Sequence, residues 1–425
     1  MKQKLTIPNL ISINIYWFGL SFLWNTLHPI VLPAILLNFV PDANKNTYLG
    51  LLTFLGLILA MVVQPISGAA SDRSTSRWGK RRPFIALGTL LDLVVLLFIA
   101  FTNTLTGIFL GYIILQIASN IAQGPMQGLI PDLVPEKQKG LASGIKNFMD
   151  VFGLIAASLL AGILLVPGEP RPIRVFLAVM GILCISAIIT IITTRENTNE
   201  KQIPTKLETF SLRNIFSLDI KSNRAFFNLI ISRFIFLLGV YGIQTFAQYY
   251  IRDVLAVDNA VKATGMLMIV IAISLIICVL ISGFLSDRTG PGKLMNAAML
   301  ITAVGGFSLI FVQDMKMLMV VAGFIGAGMG LYLTSNWTMA VKVAPADQAG
   351  RFLGLTNLAT AGASALGRLE GPLIDFANQL KPGFFLGCKA MFFFCFLCSI
   401  LSLMIFQILK KRTEKRVNPN NVRKS

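Results

Sequence analysis

The 425-residue sequence is poor in charge: Asp, Glu, Lys and Arg make up only 13% of it, about half the share in a typical soluble domain. It has one histidine, His28, and five cysteines, which stand in apolar runs without the spacing of a zinc site. Neither a Gly-Lys-Ser/Thr phosphate loop nor a His-Glu-x-x-His motif occurs. These absences disfavour an ATP-driven pump or any other enzyme, and they predict no cofactor and no bound metal.

Long apolar runs take the place of charge, and hydrophobic residues make up 55% of the chain. A helix of about 20 apolar residues crosses the hydrocarbon core of a bilayer, and it satisfies its own backbone hydrogen bonds there. We therefore predict an all-α membrane protein with twelve transmembrane helices. The predicted spans are 11–39, 47–69, 83–102, 105–130, 141–166, 174–193, 225–250, 260–285, 292–312, 316–340, 351–377 and 383–409.

The net charge of +18 does not indicate a nucleic-acid partner, because the sequence lacks a soluble module that could carry a basic face. Lys and Arg concentrate in alternate loops and in both terminal segments, which places the two termini in the cytoplasm. The segment up to Asn9 leads into an apolar run too long for a signal peptide, so we expect it to remain as the first span. We predict a monomeric multi-pass protein of the inner or plasma membrane, whose partners are the lipid bilayer and a small-molecule solute.

The second half of the sequence repeats the first. Gly68-Ala-Ala-Ser-Asp72-Arg73 after the second span recurs as Gly283-Phe-Leu-Ser-Asp287-Arg288 after the eighth. After the fourth and tenth spans, Pro135, Gln138, Gly140, Gly144 and Asn147 recur in register as Pro345, Gln348, Gly350, Gly354 and Asn357. Such repeats are typical of transporter folds. They predict two six-helix bundles at 1–193 and 225–410, a cytoplasmic linker at 194–224 and a basic cytoplasmic tail at 411–425.

The densest group of charges, residues 71–83, forms a tight turn between the second and third spans. It resembles the signature loop of the major facilitator superfamily. Asp72 can pair with an arginine or with the positive end of a neighbouring helix, and either contact could hold one state of a transporter closed. The alternative is that these basic residues only fix topology or contact anionic lipid headgroups.

The resemblance is sharper across residues 63–85, which look like the plant sucrose/proton symporters and their animal and bacterial relatives. Their R-x-G-R-R-R-P signature is met by Arg77 to Pro83, with Lys80 in one Arg place. Gln123-Gly-Pro125 and Asp132-Leu133 resemble the Q-G-P and D-L elements of the same family. The glycoside-pentoside-hexuronide/cation symporters are more distantly similar. The predicted gating residues are Gly68, Asp72, Arg73, Arg77, Gly79, Arg81, Arg82, Asp132, Asp287 and Arg288.

Two departures from these families concern ion coupling. The sucrose symporters carry an Asp for the proton and an Arg for the sugar on the fourth span, where this chain has Gln116 and Gln127. A glutamine does not titrate near neutral pH, so coupling at this place is excluded. The glycoside/cation symporters have an Asp where this chain has Gln64, so a sodium site of that kind is not expected.

Polar residues follow helical stripes on several predicted spans. The fourth span carries Gln116, Asn120, Gln123 and Gln127 on one face, which either lines a cavity for hydroxyl-rich ligands or bonds neighbouring helices. An aromatic ring beside amides is the chemistry that binds sugars, and the first, seventh and tenth spans also offer it. The candidate substrate contacts are Trp24, Asn25, His28, Gln116, Asn120, Gln123, Gln127, Tyr241, Gln244, Gln248, Tyr332 and Asn336.

Ionisable residues within spans are costly and should face protein or water. Lys146 and Asp150 are four residues apart and can pair on one helix face. If H+ is carried, the candidate coupling residues are Asp150, Glu370 and Arg368, although buried ion pairs that fix helix register would explain them equally well.

Taken with the family resemblance, these features predict a secondary active or facilitated transporter, a symporter if H+ is coupled, of a small polar solute such as a disaccharide or glycoside. It would work by alternating access. The alternatives are an exporter of amphipathic compounds and a non-transporting membrane scaffold or assembly factor with the same fold. The sequence does not identify the solute or the direction of transport.

Overall fold

The computed structural model describes residues 4–165, 171–194, 196, 223–344 and 349–417. Within these ranges the secondary structure is entirely helical, and no strand is present. The predicted all-α class is therefore confirmed. Most of the predicted linker 194–224, the end of the tail 411–425 and the side chain of Asp287 lie outside the described residues.

Eleven helices in the described part of the chain are long and apolar enough to cross a membrane. Their positions match eleven of the predicted spans to within a few residues, so each span keeps its predicted ordinal below. They are Ile7–Leu36, Asp42–Asp72, Arg82–Phe101, Leu105–Leu133, Glu136–Leu164, Ile173–Thr193, Arg224–Asp253, Ala260–Gly283, Pro291–Phe311, Met315–Val343 and Leu386–Ile408.

The eleventh predicted span, 351–377, is not one continuous helix. The structure has two helices there, Ala349–Gly367 and Glu370–Leu380. Pro372 accounts for the break, because it lacks an N–H and its ring clashes with the carbonyl of Arg368 four residues earlier. At the break, Arg368 and Leu369 donate backbone hydrogen bonds only three residues back. The predicted eleventh span is therefore interrupted at Arg368 and Leu369.

The first span is also irregular. It runs as an α-helix to Thr26, makes a π-helical turn at Leu27–Val31 and returns to an α-helix at Leu32–Leu36. Pro29 and Pro33 fall in and just after this turn, and each removes one donor from the i→i−4 series. Single π-helical turns within α-helices often lie at functional sites.

The chain divides into two compact units. Unit 1 comprises Met1–Lys206 and Ile251–Ile269, and unit 2 comprises Leu207–Tyr250 and Val270–Ser425. In unit 1 the first span packs against the fifth and sixth, and the fourth packs against the second and third. In unit 2 the ninth span packs against the tenth and twelfth.

Glycines allow close helix contacts in unit 1. A Cβ on Gly124 of the fourth span would lie 2.9 Å from the backbone nitrogen of Gly68 on the second. Gly124 lets the two backbones approach this closely, because any Cβ there would clash with the second span. A Cβ on Gly68 would lie 3.7 Å from the Gly124 carbonyl oxygen, which is an ordinary contact, so this packing requires glycine at 124 and not at the predicted gating residue Gly68.

Candidate functional site

The π-helical turn places His28 within a cluster of aromatic and amide side chains in unit 1. We call Trp24, His28, Tyr112, Gln116 and Asn120 the His28 cluster. The His28 ring stacks on Trp24 with centroids 4.9 Å apart, and its Nε2 lies 2.9 Å from the Tyr112 hydroxyl. The sequence predicted all of these residues except Tyr112 as substrate contacts. In the structure, Tyr112 connects the four predicted residues of the cluster.

Tyr112 joins the first and fourth spans through its hydroxyl. Gln116 Nε2 donates to this hydroxyl at 2.7 Å, and a side-chain amide nitrogen can only donate. The hydroxyl therefore accepts from Gln116 and can give its own proton to Nε2 of a neutral His28, an assignment inferred from the hydrogen-bond pattern. Gly56 of the second span leaves room for this arrangement, because a Cβ there would lie 2.8 Å from the Tyr112 hydroxyl.

The predicted polar stripe on the fourth span divides into a buried part and an open part. Gln116 and Asn120 are 2% and 3% exposed, and the Asn120 amide donates to the backbone carbonyl of Gln116 at 2.7 Å. Gln123 is half-buried and Gln127 is exposed. Only the first half of the stripe therefore contributes to the His28 cluster.

Asn25 faces a different neighbourhood from its neighbour Trp24. Its amide donates to the carbonyl and hydroxyl oxygens of Ser21 at 2.9 and 3.1 Å, and Ser21 in turn donates to the carbonyl of Asp150. The Asp150 carboxylate accepts from Lys146 at 2.8 Å, which confirms the predicted i,i+4 pair. Asn25 thus belongs to the contact between the first and fifth spans.

A second polar group lies in unit 2. Arg233 of the seventh span donates from Nη1 to the Asn336 side-chain oxygen at 2.7 Å and from Nε to the Thr360 hydroxyl at 2.9 Å. The Asn336 amide is 3.5 Å from the Tyr332 hydroxyl, and the Tyr332 ring stacks on Phe236 with centroids 3.9 Å apart. We call Arg233, Tyr332, Asn336 and Thr360 the Arg233 cluster.

The predicted contacts of unit 2 are only partly gathered by this cluster. Tyr332 and Asn336 are buried members of it. Tyr241 and Gln244 are half-buried, and Gln248 is buried on the same span. Arg233 was not among the predicted substrate contacts, yet it organises the group.

The gating residues of unit 1 meet at one buried arginine. Arg81, 5% exposed, forms ion pairs with Asp72 and, at 2.9 Å, with Asp132. Lys80 reaches the same Asp132 carboxylate at 3.1 Å. We call these four residues the Arg81 cluster. Asp72 thus uses the first of its two predicted partners, an arginine.

The side chain of Glu196 lies at the N-terminal end of the third span. Its carboxylate accepts hydrogen bonds from the backbone N–H groups of Lys80, Arg81 and Arg82 at 2.6 to 3.1 Å. Free N–H groups at a helix N-terminus are a favourable place for an anion. Gly79 has a φ of 103°, and a Cβ there would lie 2.7 Å from the Glu196 carboxyl carbon, so two constraints favour glycine. Glu196 was missed because it stands in a polar linker without a local pattern.

Other predicted gating residues lie outside the Arg81 cluster. Arg73, Arg77 and Arg288 are exposed. The backbone of Arg82 contacts Glu196, but its Nε has no partner among the described residues.

The candidate proton-coupling residues have unlike surroundings. Asp150 is held by Lys146, as described. The Arg368 guanidinium donates to the carbonyl and hydroxyl oxygens of Ser364 at 2.7 and 2.9 Å. Glu370 is 8% exposed, and neither of its carboxyl oxygens has a hydrogen-bond partner among the described residues. Its carboxyl lies against Gly242 of the seventh span, where any Cβ would clash with it.

Curated relatives at low identity cover most of the chain. A multidrug resistance protein MdtG of Enterobacter lignolyticus is 24% identical over 383 residues, which are 88% of this chain and 87% of that protein. A homolog of the multi-drug resistance efflux pump PmrA from Lactococcus lactis is 23% identical, over 89% and 90% of the two chains.

Solved transporter structures share the fold. The nucleoside transporter NupG aligns with a TM-score of 0.74 at 14% identity, over 95% of this chain and 99% of that one. A D-xylose-proton symporter aligns with a TM-score of 0.72 at 15% identity, over 94% and 96%. A family model, Major Facilitator Superfamily, matches residues 5–367. With the all-helical architecture and the repeated loop motif, this match shows that the chain is a multi-pass membrane protein belonging to the major facilitator superfamily of transporters.

Proposed function

We propose that the protein is a secondary active or facilitated carrier of a small polar solute that works by alternating access. The observation that carries this proposal is the His28 cluster, which combines a stacked indole and imidazole with a phenol and two amides. Aromatic rings cover the C–H face of a polar solute, and amides can both donate to and accept from its hydroxyls. The π-helical turn beside His28 fits the same interpretation.

Within that class we propose a sugar or glycoside, such as a disaccharide. The resemblance of residues 63–85 to the sucrose/proton symporters supports this choice. A structural neighbour that is a D-xylose-proton symporter is consistent with it at the level of the fold.

The Arg81 cluster is proposed as the gate of the transport cycle. Its ion pairs and the Glu196 contacts fix the loop between the second and third spans, and they would have to loosen if that loop moves between states. We expect Asp72→Ala to slow transport while leaving solute binding unchanged. An equal loss of both would remove Asp72 from gating.

For H+ coupling, Glu370 is the first residue to test. A carboxyl without a fixed partner can gain and lose a proton without breaking an ion pair, whereas Asp150 would have to release Lys146. We place the protein in the inner or plasma membrane with both termini cytoplasmic, from the distribution of Lys and Arg.

A second candidate is export of amphipathic compounds. It is favoured by the relatives named for multidrug resistance and efflux, which match along most of the chain. The alternative of a non-transporting scaffold has no such support.

Uptake by purified protein in proteoliposomes tests the sugar carrier, the exporter and the scaffold in one experiment. A panel of disaccharides and an amphipathic dye would be assayed with and without an imposed pH gradient. Saturable disaccharide uptake that falls in Gln116→Ala and stays normal in Tyr48→Phe supports the proposal, since Tyr48 lies outside the His28 cluster. Dye movement alone would favour the exporter, and no movement of any solute would favour a scaffold.

A further inference from the structure

Arg233 is a buried cation that has no carboxylate partner among the described residues. The residue is 6% exposed. None of the nine ion pairs found among the described residues involves it. A charged residue within a membrane span is costly unless it pairs or reaches water. Within the described part of the chain, Arg233 therefore lacks the counter-charge that usually accompanies such a residue.

The two hydrogen-bond acceptors found for Arg233 in the described ranges are both neutral. Asn336 and Thr360 accept from Nη1 and Nε, so they orient the guanidinium without compensating its charge. The third nitrogen, Nη2, makes no hydrogen bond to the described residues. Nη1 carries two hydrogens and donates one of them to Asn336. The second hydrogen on Nη1 and the two on Nη2, at the outer end of the guanidinium, have no acceptor among the described residues.

This free end has the geometry that binds an oxyanion. Two parallel N–H groups of a guanidinium match the two oxygens of a carboxylate or phosphate. The neutral partners are themselves held in place, since Asn336 is 1% exposed and next to the Tyr332 hydroxyl, and the Tyr332 ring is stacked on Phe236. The fork is thus pre-oriented from three spans, the seventh, tenth and eleventh.

We propose that Arg233 is a binding site for an oxyanion, the carboxylate or phosphate group of a transported solute. This inference rests on the proposed carrier function and refines its substrate class, because the neutral groups of the His28 cluster offer no comparable anion contact. A purely structural arginine, linking three spans through neutral hydrogen bonds, is the competing explanation.

Binding to the purified full-length protein in detergent separates the two explanations. The probes are two matched pairs, gluconate with sorbitol and glucose 6-phosphate with glucose, together with inorganic phosphate alone. Affinity is read from intrinsic tryptophan fluorescence, since Trp337 neighbours Asn336 in sequence, and from the shift in unfolding temperature. The wild type should bind at least one anion about tenfold or more tightly than its neutral counterpart. If no anion is preferred, the inference is overturned.

The variant Arg233→Gln should lose that preference. Arg174→Gln removes the same charge from an exposed position in unit 1 and should keep it. If Arg233→Gln fails to fold, Arg233→Lys decides the matter: the ammonium keeps the charge but not the fork, so the preference for gluconate should fall several-fold. An unchanged preference in either folded variant assigns Arg233 a structural role only.

The outcomes of the binding and uptake measurements also separate this inference from the carrier proposal. Uptake of neutral sugars with no preference for anions would leave the carrier standing and remove the oxyanion site. Binding of phosphate alone, lost in Arg233→Gln, would support an oxyanion site whose natural solute is smaller than a sugar. Anion binding without transport of any solute would keep the site and remove the carrier.

Discussion

Arg81 in unit 1 and Arg233 in unit 2 are buried to nearly the same degree, 5% and 6% exposed, yet their surroundings differ in charge. Arg81 contacts two carboxylates and completes its hydrogen bonds with Gly68 and Ser71. Arg233 contacts an amide and a hydroxyl. An internally neutralised arginine serves the architecture of its own unit, whereas one oriented by neutral groups keeps its charge for a ligand.

Removing Arg81 should have the largest effect. Arg81→Met leaves Asp72 and Asp132 without their main counter-charge, and breaking a buried pair costs about 3–5 kcal/mol. Since both carboxylates are partly exposed, we expect the lower end of that range as a fall in the unfolding free energy. The neighbouring Arg82→Met is the matched control, because the Arg82 side chain forms no ion pair in the described structure. Equal losses in the two variants would contradict the special role of Arg81.

The His28 cluster contains neither an arginine nor a carboxylate, so it serves as a reference for the two arginine clusters. Tyr112→Phe removes the hydroxyl shared by His28 and Gln116, and leaving buried polar groups unpaired costs about 1–3 kcal/mol. A lower unfolding temperature and weaker binding of a neutral solute should follow. Tyr48→Phe should change neither quantity, since no hydrogen bond of the Tyr48 hydroxyl is found within the described ranges. A stable, fully binding Tyr112→Phe protein would make the cluster incidental.

Arg233→Met should destabilise the protein much less than Arg81→Met. Deleting a cation that has no counter-charge among the described residues removes a desolvation cost and leaves only neutral acceptors behind. We expect an unfolding free energy within about 1 kcal/mol of the wild type, or above it. Thermal unfolding of both variants in one detergent measures this difference directly. A loss as large as that of Arg81→Met would indicate that Arg233 is a structural cross-link.

The smallest expected effect concerns the stack of His28 on Trp24. His28→Gln keeps a hydrogen-bonding side chain near the Tyr112 hydroxyl but removes the ring that stacks on the indole. Neutral-solute binding should therefore weaken about threefold or less, while gluconate binding at Arg233 should stay constant. Equal losses of neutral-solute and gluconate binding in this variant would contradict separate roles for the two clusters.

Local patterns in the sequence carried most of the fold and part of the candidate site. Apolar run lengths predicted eleven of the spans, and the i,i+4 spacing predicted the pair of Lys146 and Asp150. The break in the eleventh span also has a local cause, Pro372. These features depend on neighbours within one helix, where the geometry is known in advance.

Contacts between distant segments were less accessible. Tyr112 stands in an ordinary apolar run, and its partner His28 is 84 residues away. Glu196 is 115 residues from Arg81 and has no periodic pattern around it. Neither residue differs locally from a core tyrosine or a solvated glutamate, so only tertiary packing reveals what each one does.

The π-helical turn at Leu27–Val31 has a consequence for reading related sequences. A π turn holds one more residue than an α turn, so the helical wheel of Leu32–Leu36 is rotated with respect to that of Ile7–Thr26. If the whole span is assumed to have a uniform period of 3.6 residues, a residue after Val31 can be assigned to the lipid-facing side although it lies on the inner side. In a relative without the turn, an alignment that preserves side-chain orientation would need a one-residue gap next to His28.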